Sequence, residues 1–387
     1  MRSLSLPRRV LCAALVCAAS LAVATPGDAA LQADPWDEVG PIGGAALGSR
    51  GLAVDRASTF AKPPVVQASS YVLADLDTGE VLAAKNAHGR FAPASTLKTL
   101  TAVTFIPRMD PDQVVVIPYE AGAVDGTKVG VVPGRPYRVS ELMMAMLIMS
   151  ANDAATALAS AQQPMSEGMK LMNEEAARLH ALDTVARNPS GLDAKGQVSS
   201  AYDLALIGRA GMNSPAFRRY VGTRRSQISA PRGRHYEIYT HNHLLLNYEG
   251  TLGVKNGYTV AAKASFVGAA ERNGRRLIVT LMRGHPLLWK EAARLLDWGF
   301  VVDGRIAPVG RLVDPKPMPG DELATAAPPG RTLALAEQPK AGGIDVPLAP
   351  VAAAGAIVAL FTMLRLRARR RRGFRFRSRS KFSLPPL

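Results

Sequence analysis

Cysteine is nearly missing: the 387 residues hold two, Cys12 and Cys17, both near the N-terminus. They fall inside a leader, so the mature chain is expected to carry no disulfide and no thiol nucleophile. The leader is legible in "MRSLSLPRRVLCAALVCAASLAVATPGDAA". Arg2, Arg8 and Arg9 come first, an apolar run from Val10 to Val23 comes next, and small residues suited to cleavage stand at Ala24 and near Ala29. The apolar run is short for a spanning helix, which favours export over an N-terminal anchor. Ala14-Leu15-Val16 ahead of Cys17 is a poor lipoprotein cleavage site, so lipid attachment is set aside.

Charge is missing from 346–364, "VPLAPVAAAGAIVALFTML", nineteen residues and about the length that crosses a hydrocarbon core. Acid is missing from the segment directly after it, where ten Arg or Lys lie between Arg365 and Lys381. A stop-transfer helix with a basic cytoplasmic tail, in contact with anionic lipid head groups, accounts for both. Without the tail cations and the three leader arginines, only about +3 of the formal +16 remains. The ectodomain is nearly neutral, and a nucleic-acid partner loses its main support. No internal repeat is present. The expected division is a signal peptide at 1–29, an extended Gly-, Ala- and Pro-rich lead-in at 30–66, and a catalytic domain at 67–305. A Pro-, Ala- and Gly-rich linker at 306–345, the transmembrane helix at 346–364 and the basic tail at 365–387 complete it.

Within 67–305 the order of elements reads strands, helices, strands, helix. Two apolar runs flank Asp77-Thr78-Gly79-Glu80, a hairpin signal. Helix begins near Pro93 and Ser95. A second helix, "ELMMAMLIM", has Ser140 as its expected cap and is apolar nearly all round, so it should be buried with its methionines as core. Further helices run through "AATALASA" and "EGMKLMNEEAARLHAL". Strands return in "GTLGVKNGYT", "ASFVGAAERNG" and "RRLIVTLMRG", the last two joined at Asn273-Gly274. The amphipathic "LLWKEAARLLDWGF" closes the domain near 301. This order predicts an α+β fold whose antiparallel sheet is built from both ends of the segment.

Three short motifs carry the chemistry. In "FAPASTLKTLTA", Ser95 and Lys98 stand three residues apart on one helix face. A serine hydroxyl is a weak nucleophile until a base takes its proton, and a lysine held in an apolar pocket or near another cation can be neutral enough to do so. Ser150-Ala151-Asn152 comes after the Met-rich helix, offering a hydroxyl and an amide from a loop. Lys255-Asn256-Gly257, then Tyr258-Thr259, lies in a strand where Gly lets a substrate backbone approach closely. Each motif alone is weak. Their order, in an exported chain, is that of the serine penicillin-binding proteins and β-lactamases.

The stretch from Ser69 to Phe300, about 60% of the chain, resembles the low-molecular-mass D-alanyl-D-alanine carboxypeptidases, a penicillin-binding family of serine peptidases. "MSANDAATALA", "NPSGLD", "SSAYDLALIG", "THNHLLLNYEGTLGVKNGYT" and "ERNGRRLIVTLM" look like family landmarks in family order. The resemblance implies a β-lactamase/transpeptidase-like sheet flanked by helices with an all-helical subdomain. It implies Ser95 as nucleophile, Lys98 as its base, Ser150 and Lys255 as proton relay, and Asn152 orienting Lys98 and substrate. Gly257 and the N–H groups of Ser95 and Tyr258 would face the reacting carbonyl, with Thr259 and Asn256 meeting the terminal carboxylate. Peptidoglycan stem peptides are the implied substrates, β-lactams the implied inhibitors, and no cofactor or metal is expected.

Three departures stand out. Asn256 occupies a position where the family usually has Thr, and Ser190 one where His is frequent. The forty-residue linker is too short and polar for the second, β-rich domain of most members, so a single catalytic domain on a tether is expected. His241 and His243 sit at alternate positions that could bind metal, with no third ligand evident. A β-lactamase would need a Glu-x-x-Leu-Asn segment, which is absent. An endopeptidase would use the same residues, and a tethered wall-binding protein without turnover remains the reading from another class.

Overall fold

Two tight hairpins organise the sheet. In the computed structural model, which describes residues 41–317 except 162, β1 (Leu52–Val54) precedes the hairpin of β2 (Ser70–Asp75) and β3 (Glu80–Lys85). Its turn falls on the expected residues: the buried Asp75 carboxylate accepts from the N–H groups of Asp77 and Thr78 at 2.8 and 2.6 Å. A 3₁₀ turn at Ala94–Leu97 then leads into α1 (Lys98–Phe105). Next, β4 (Val114–Val116), α2 (Tyr119–Ala123) and β5 (Pro136–Arg138) form a small outlying ribbon and its connection. The helical half comes next as α3 (Val139–Ile148), α4 (Asn152–Ala159), α5 (Met165–Arg178), α6 (Ala201–Asn213) and α7 (Pro215–Val221). A second ribbon, β6 (Arg225–Ala230) with β7 (Arg234–Tyr239), and the short α8 (His243–Asn247) lead back to the sheet. There β8 (Thr251–Thr259), β9 (Lys263–Arg272) and β10 (Arg275–Gly284) run consecutively, before α9 (Leu288–Val302) and β11 (Gly310–Arg311).

The main sheet has seven antiparallel strands in the order β1-β3-β2-β10-β9-β8, with β11 also on β3. The expected α+β architecture is therefore present. Asn273 and Gly274 take φ of +52° and +75°, the conformation a two-residue hairpin turn requires. Central β10 divides the core by its period of two. Leu277, Val279 and Leu281 pack with Leu295 and Leu296 of α9, whereas Ile278 and Met282 join Val72, Val267 and the helical half. Leu142, Met143, Ala145 and Met146 of α3 are fully buried, so these methionines are core. Ser140 does not cap α3. The helix already starts at Val139, and the Glu141 carboxylate accepts from the Arg138 N–H at 3.1 Å.

Both expected domain boundaries move outward. Val54, Ala53 and Leu52 pair along β3, and Leu47 is buried. At the other end Gly310 and Arg311 pair with Val81 and Glu80 on the same edge of β3. The two end segments also hold each other, the Arg311 N–H donating to Gly43 O at 2.8 Å, while the Tyr202 hydroxyl of α6 donates to Arg311 O at 2.7 Å. Residues 45–54 and 309–313 thus cover a sheet edge that would otherwise be open to pairing. Strands of two and three residues are too short to register in a hydrophobic pattern, which is why both read as linker. Among the described residues no helix is long and apolar enough to cross a membrane. The signal peptide, the span at 346–364 and the basic tail lie outside the described residues.

Candidate active site

Ser95 sits in the 3₁₀ turn and Lys98 is the first residue of α1, so their side chains leave the backbone one turn apart on one face. Lys98 Nζ lies 3.0 Å from Ser95 Oγ, 2.7 Å from Asn152 Oδ1 and 2.6 Å from Ser190 O. A neutral amine has two hydrogens and one lone pair. Donating the hydrogens to Asn152 and the Ser190 carbonyl leaves the lone pair for the Ser95 hydroxyl. The site favours that neutral form: complete burial holds the Lys98 pKa well below the usual lysine range, the Lys255 cation adds to this, and Asp153 opposes it.

Lys255, on β8, is also fully buried, and burial pushes its pKa down to about 7. Its Nζ donates to Asn256 O at 2.7 Å. A buried lysine of this kind costs stability. That cost is fully present below the folded-state pKa near 7 and vanishes as the pH rises towards the unfolded value of 10.5. Lys255→Met is accordingly expected to raise stability by roughly 1–3 kcal/mol at pH 6 and by nearly nothing at pH 10, measured by thermal melts across that range. A variant less stable than the parent at pH 6 would contradict the burial argument.

Ser150 stands two residues past the end of α3 with φ of +69°, and Asn152 opens α4. Asn152 is committed at both ends of its amide: Oδ1 accepts from Lys98, and Nδ2 donates to Asp125 O at 2.7 Å. Its own N–H donates to Thr127 O at 2.7 Å. The neighbouring Asp153 carboxylate, fully buried, accepts from the N–H groups of Val129, Gly130 and Val131 at 3.1, 2.7 and 3.1 Å. Residues 125–131 are thereby pinned beside the Ser150 motif. Sequence reasoning gave Asp153 no role, and its position directly after Asn152 was the only available signal.

β8 is the edge strand of the sheet, so its unpaired side is available to a substrate backbone. Gly257 packs against the nucleophile's own turn: a Cβ there would lie 2.6 Å from Ser95 N and 2.9 Å from Thr96 N. The loop 188–193 locks the opposite side. Ser190 O holds Lys98, and Gly191, at φ of +82°, lies so close to Ala94 O that a Cβ would come within 1.8 Å of it. Ser190, left without a role in the sequence reading, acts here through its backbone carbonyl. Thr259 closes β8 on the same loop. Its hydroxyl donates to Asp193 Oδ1 at 2.8 Å and accepts from the Ala262 N–H at 3.0 Å. Asn256 is half-buried and Tyr258 exposed; with His241, His243 and Trp289 they line a small pocket beside Gly257.

His241 and His243 fall, among the described residues, in no group of three metal-capable side chains. Among the described residues the one such group is His88, Asp183 and Asp203. There His88 Nδ1 lies 2.8 Å from Asp183 Oδ2 and Nε2 lies 3.0 Å from Ile42 O, so both ring nitrogens are already committed.

A serine hydroxyl against a desolvated lysine amine, a second hydroxyl, and an edge strand carrying another lysine, all between an antiparallel sheet and a helical half, form the arrangement that a serine acyl-transferring enzyme of the penicillin-binding kind requires. The S11 peptidase family, described as D-alanyl-D-alanine carboxypeptidase, matches residues 57–285, and the chain belongs to it. Over 252 residues it is 38% identical to the D-alanyl-D-alanine carboxypeptidase DacB2 of Mycobacterium tuberculosis, covering 63% of this chain and 86% of that protein. The crystal structure of a D-alanyl-D-alanine carboxypeptidase from M. tuberculosis H37Rv superposes with a TM-score of 0.63 at 36% identity, covering 67% of this chain and 99% of that one. The S216A mutant of the Streptomyces K15 DD-transpeptidase gives 0.58 at 25% identity, over 62% and 99% of the two chains.

Proposed function

We propose that this protein removes the terminal D-Ala from peptidoglycan stem pentapeptides through an acyl-enzyme on Ser95. The observation that carries the reading is the 3.0 Å contact between Ser95 Oγ and a buried Lys98 amine whose other two partners are acceptors. Lys98 takes the Ser95 proton as Oγ attacks the carbonyl of the penultimate D-Ala. The oxyanion forms between the N–H groups of Ser95 and Tyr258. Ser150, aided by Lys255, returns a proton to the departing D-Ala nitrogen, and Asn152 keeps Lys98 aimed. Thr259 and Asn256 meet the terminal carboxylate. Water then releases the shortened peptide. β-Lactams are expected to acylate the same serine and leave slowly.

The same proposal extends to the chain's setting. Export through 1–29, a single catalytic domain, a Pro-rich linker, a span at 346–364 and a cytoplasmic basic tail would place the domain outside the cell and close to the membrane. The uncharged span and its acid-free basic flank support this. The test is D-alanine release from a diacetyl pentapeptide ending in D-Ala-D-Ala. The parent is expected to turn over, and Ser95→Ala to lose release entirely. No release by a folded parent would sink the carboxypeptidase reading and leave an endopeptidase or a non-catalytic wall-binding protein.

A further inference from the structure

The β6–β7 ribbon stands apart from the main sheet, yet its base reaches the active site. The Thr240 N–H donates to Arg224 O at 2.9 Å to close that base, and the next residue, His241, donates its N–H to Ile148 O at 2.8 Å, two residues before Ser150. From there the ribbon runs along α3. Ile228 and Ile238 are buried in the core, and the N–H and hydroxyl of Ser229 both donate to the Glu141 carboxylate. A two-stranded ribbon is marginal by itself, so these anchors are what hold it in place.

Its outer surface is basic and aromatic. Arg224, Arg225, Arg232 and Arg234 are exposed, as are Tyr236 and Tyr239, and Arg232 at the tip takes φ of +66°. Glu237, 3.7 Å from Arg225, is the single acid between residues 224 and 239, and Glu141, bonded to Ser229, faces His235 from α3. Four arginines against one glutamate give this short ribbon about as much net positive charge as the whole chain between leader and tail. The positive charge of an otherwise balanced domain is therefore concentrated on one projection that ends at the catalytic residues.

We infer that the ribbon is a docking surface for the polymer that bears the scissile peptides, a carboxylate-rich peptidoglycan strand, and that it feeds that strand to Ser95. The inference rests on the proposed function. Arginine forks pair with carboxylates in two parallel hydrogen bonds, and the tyrosine faces offer rigid apolar area beside them. A strand held along the ribbon would leave one stem peptide over the cleft.

The test compares the full-length protein in detergent, carrying Ser95→Ala to prevent turnover, with the same chain also carrying R225Q, R232Q and R234Q. Both are sedimented with purified insoluble peptidoglycan and, separately, with vesicles of three parts phosphatidylcholine to one part phosphatidylglycerol. The triple change is expected to weaken association with peptidoglycan about tenfold at low salt, with much less difference at high salt. Lysine at the same three positions should keep most of the binding, separating lost charge from a lost fold. Equal sedimentation with peptidoglycan overturns the inference, as does a loss confined to the vesicles, which would assign the ribbon to lipid. Because sedimentation needs no turnover, a failure of the carboxypeptidase reading would show separately, as absent D-alanine release by the unmodified chain.

Discussion

Lys98→Met is expected to slow acylation of Ser95 by at least about 10⁴-fold, the scale on which members of a nucleophile–base unit fail when removed. Methionine keeps the length and the burial but has no lone pair basic enough to take the hydroxyl proton. The sign of the pH dependence comes from the same group. Lys98 must be neutral to act, so acylation by the parent rises with pH through the lowered lysine pKa and levels off above it. Lys98→Met should lose that rising limb along with the rate. Lys98→Arg should fail as well, since a guanidinium stays protonated throughout. Stopped-flow acylation by a fluorescent penicillin reads all three proteins. Acylation of the methionine variant within tenfold of the parent would mean that another group activates Ser95.

Gly257→Ala is expected to lower the acylation rate by about 10²–10³-fold with the fold intact, the loss typical of one displaced oxyanion donor. The methyl group would press on Ser95 N and Thr96 N, which are backbone atoms and cannot swing aside, and on Ser265 Oγ at 2.8 Å. Either β8 or the 3₁₀ turn must move by several tenths of an ångström, and the Ser95 N–H moves with it. Binding of the substrate's distant parts should suffer less than the chemical step, so the loss should fall mainly on kcat. Steady-state kinetics on the pentapeptide would check this. A variant that acylates at the parent rate would show that β8 can retreat at no cost to the oxyanion site.

The strongly periodic elements were legible in the sequence. The β2–β3 and β9–β10 turns and the buried methionine helix lie where their patterns put them, and Ser95, Lys98 and Lys255 fall on the helical turn, helix and strand expected of them. The features that sequence reasoning missed act through backbone or through distant partners. Ser190 serves through a carbonyl, which no side-chain pattern records. Gly191 matters because Ala94 O is there, and that contact spans nearly a hundred positions. Asp193, sixty-six residues before the Thr259 hydroxyl it accepts from, was likewise beyond any local pattern. The β6–β7 ribbon escaped notice because Ile228 and Ile238 are its only deeply buried aliphatic anchors, too few to print an alternation.

The clasp between the two end segments has a mechanical meaning. A pull applied at residue 317 would first strain the hydrogen bond from Arg178 Nη1 to Lys316 O and the ion pair of Arg209 with Asp314, then the short β11 along β3. These contacts sit at one edge of the sheet, and β8 with Lys255 forms the other, five strand spacings or about 24 Å from β11. A pull at residue 317 would therefore load a fastening at the far edge of the sheet before it reached the contacts around Ser95.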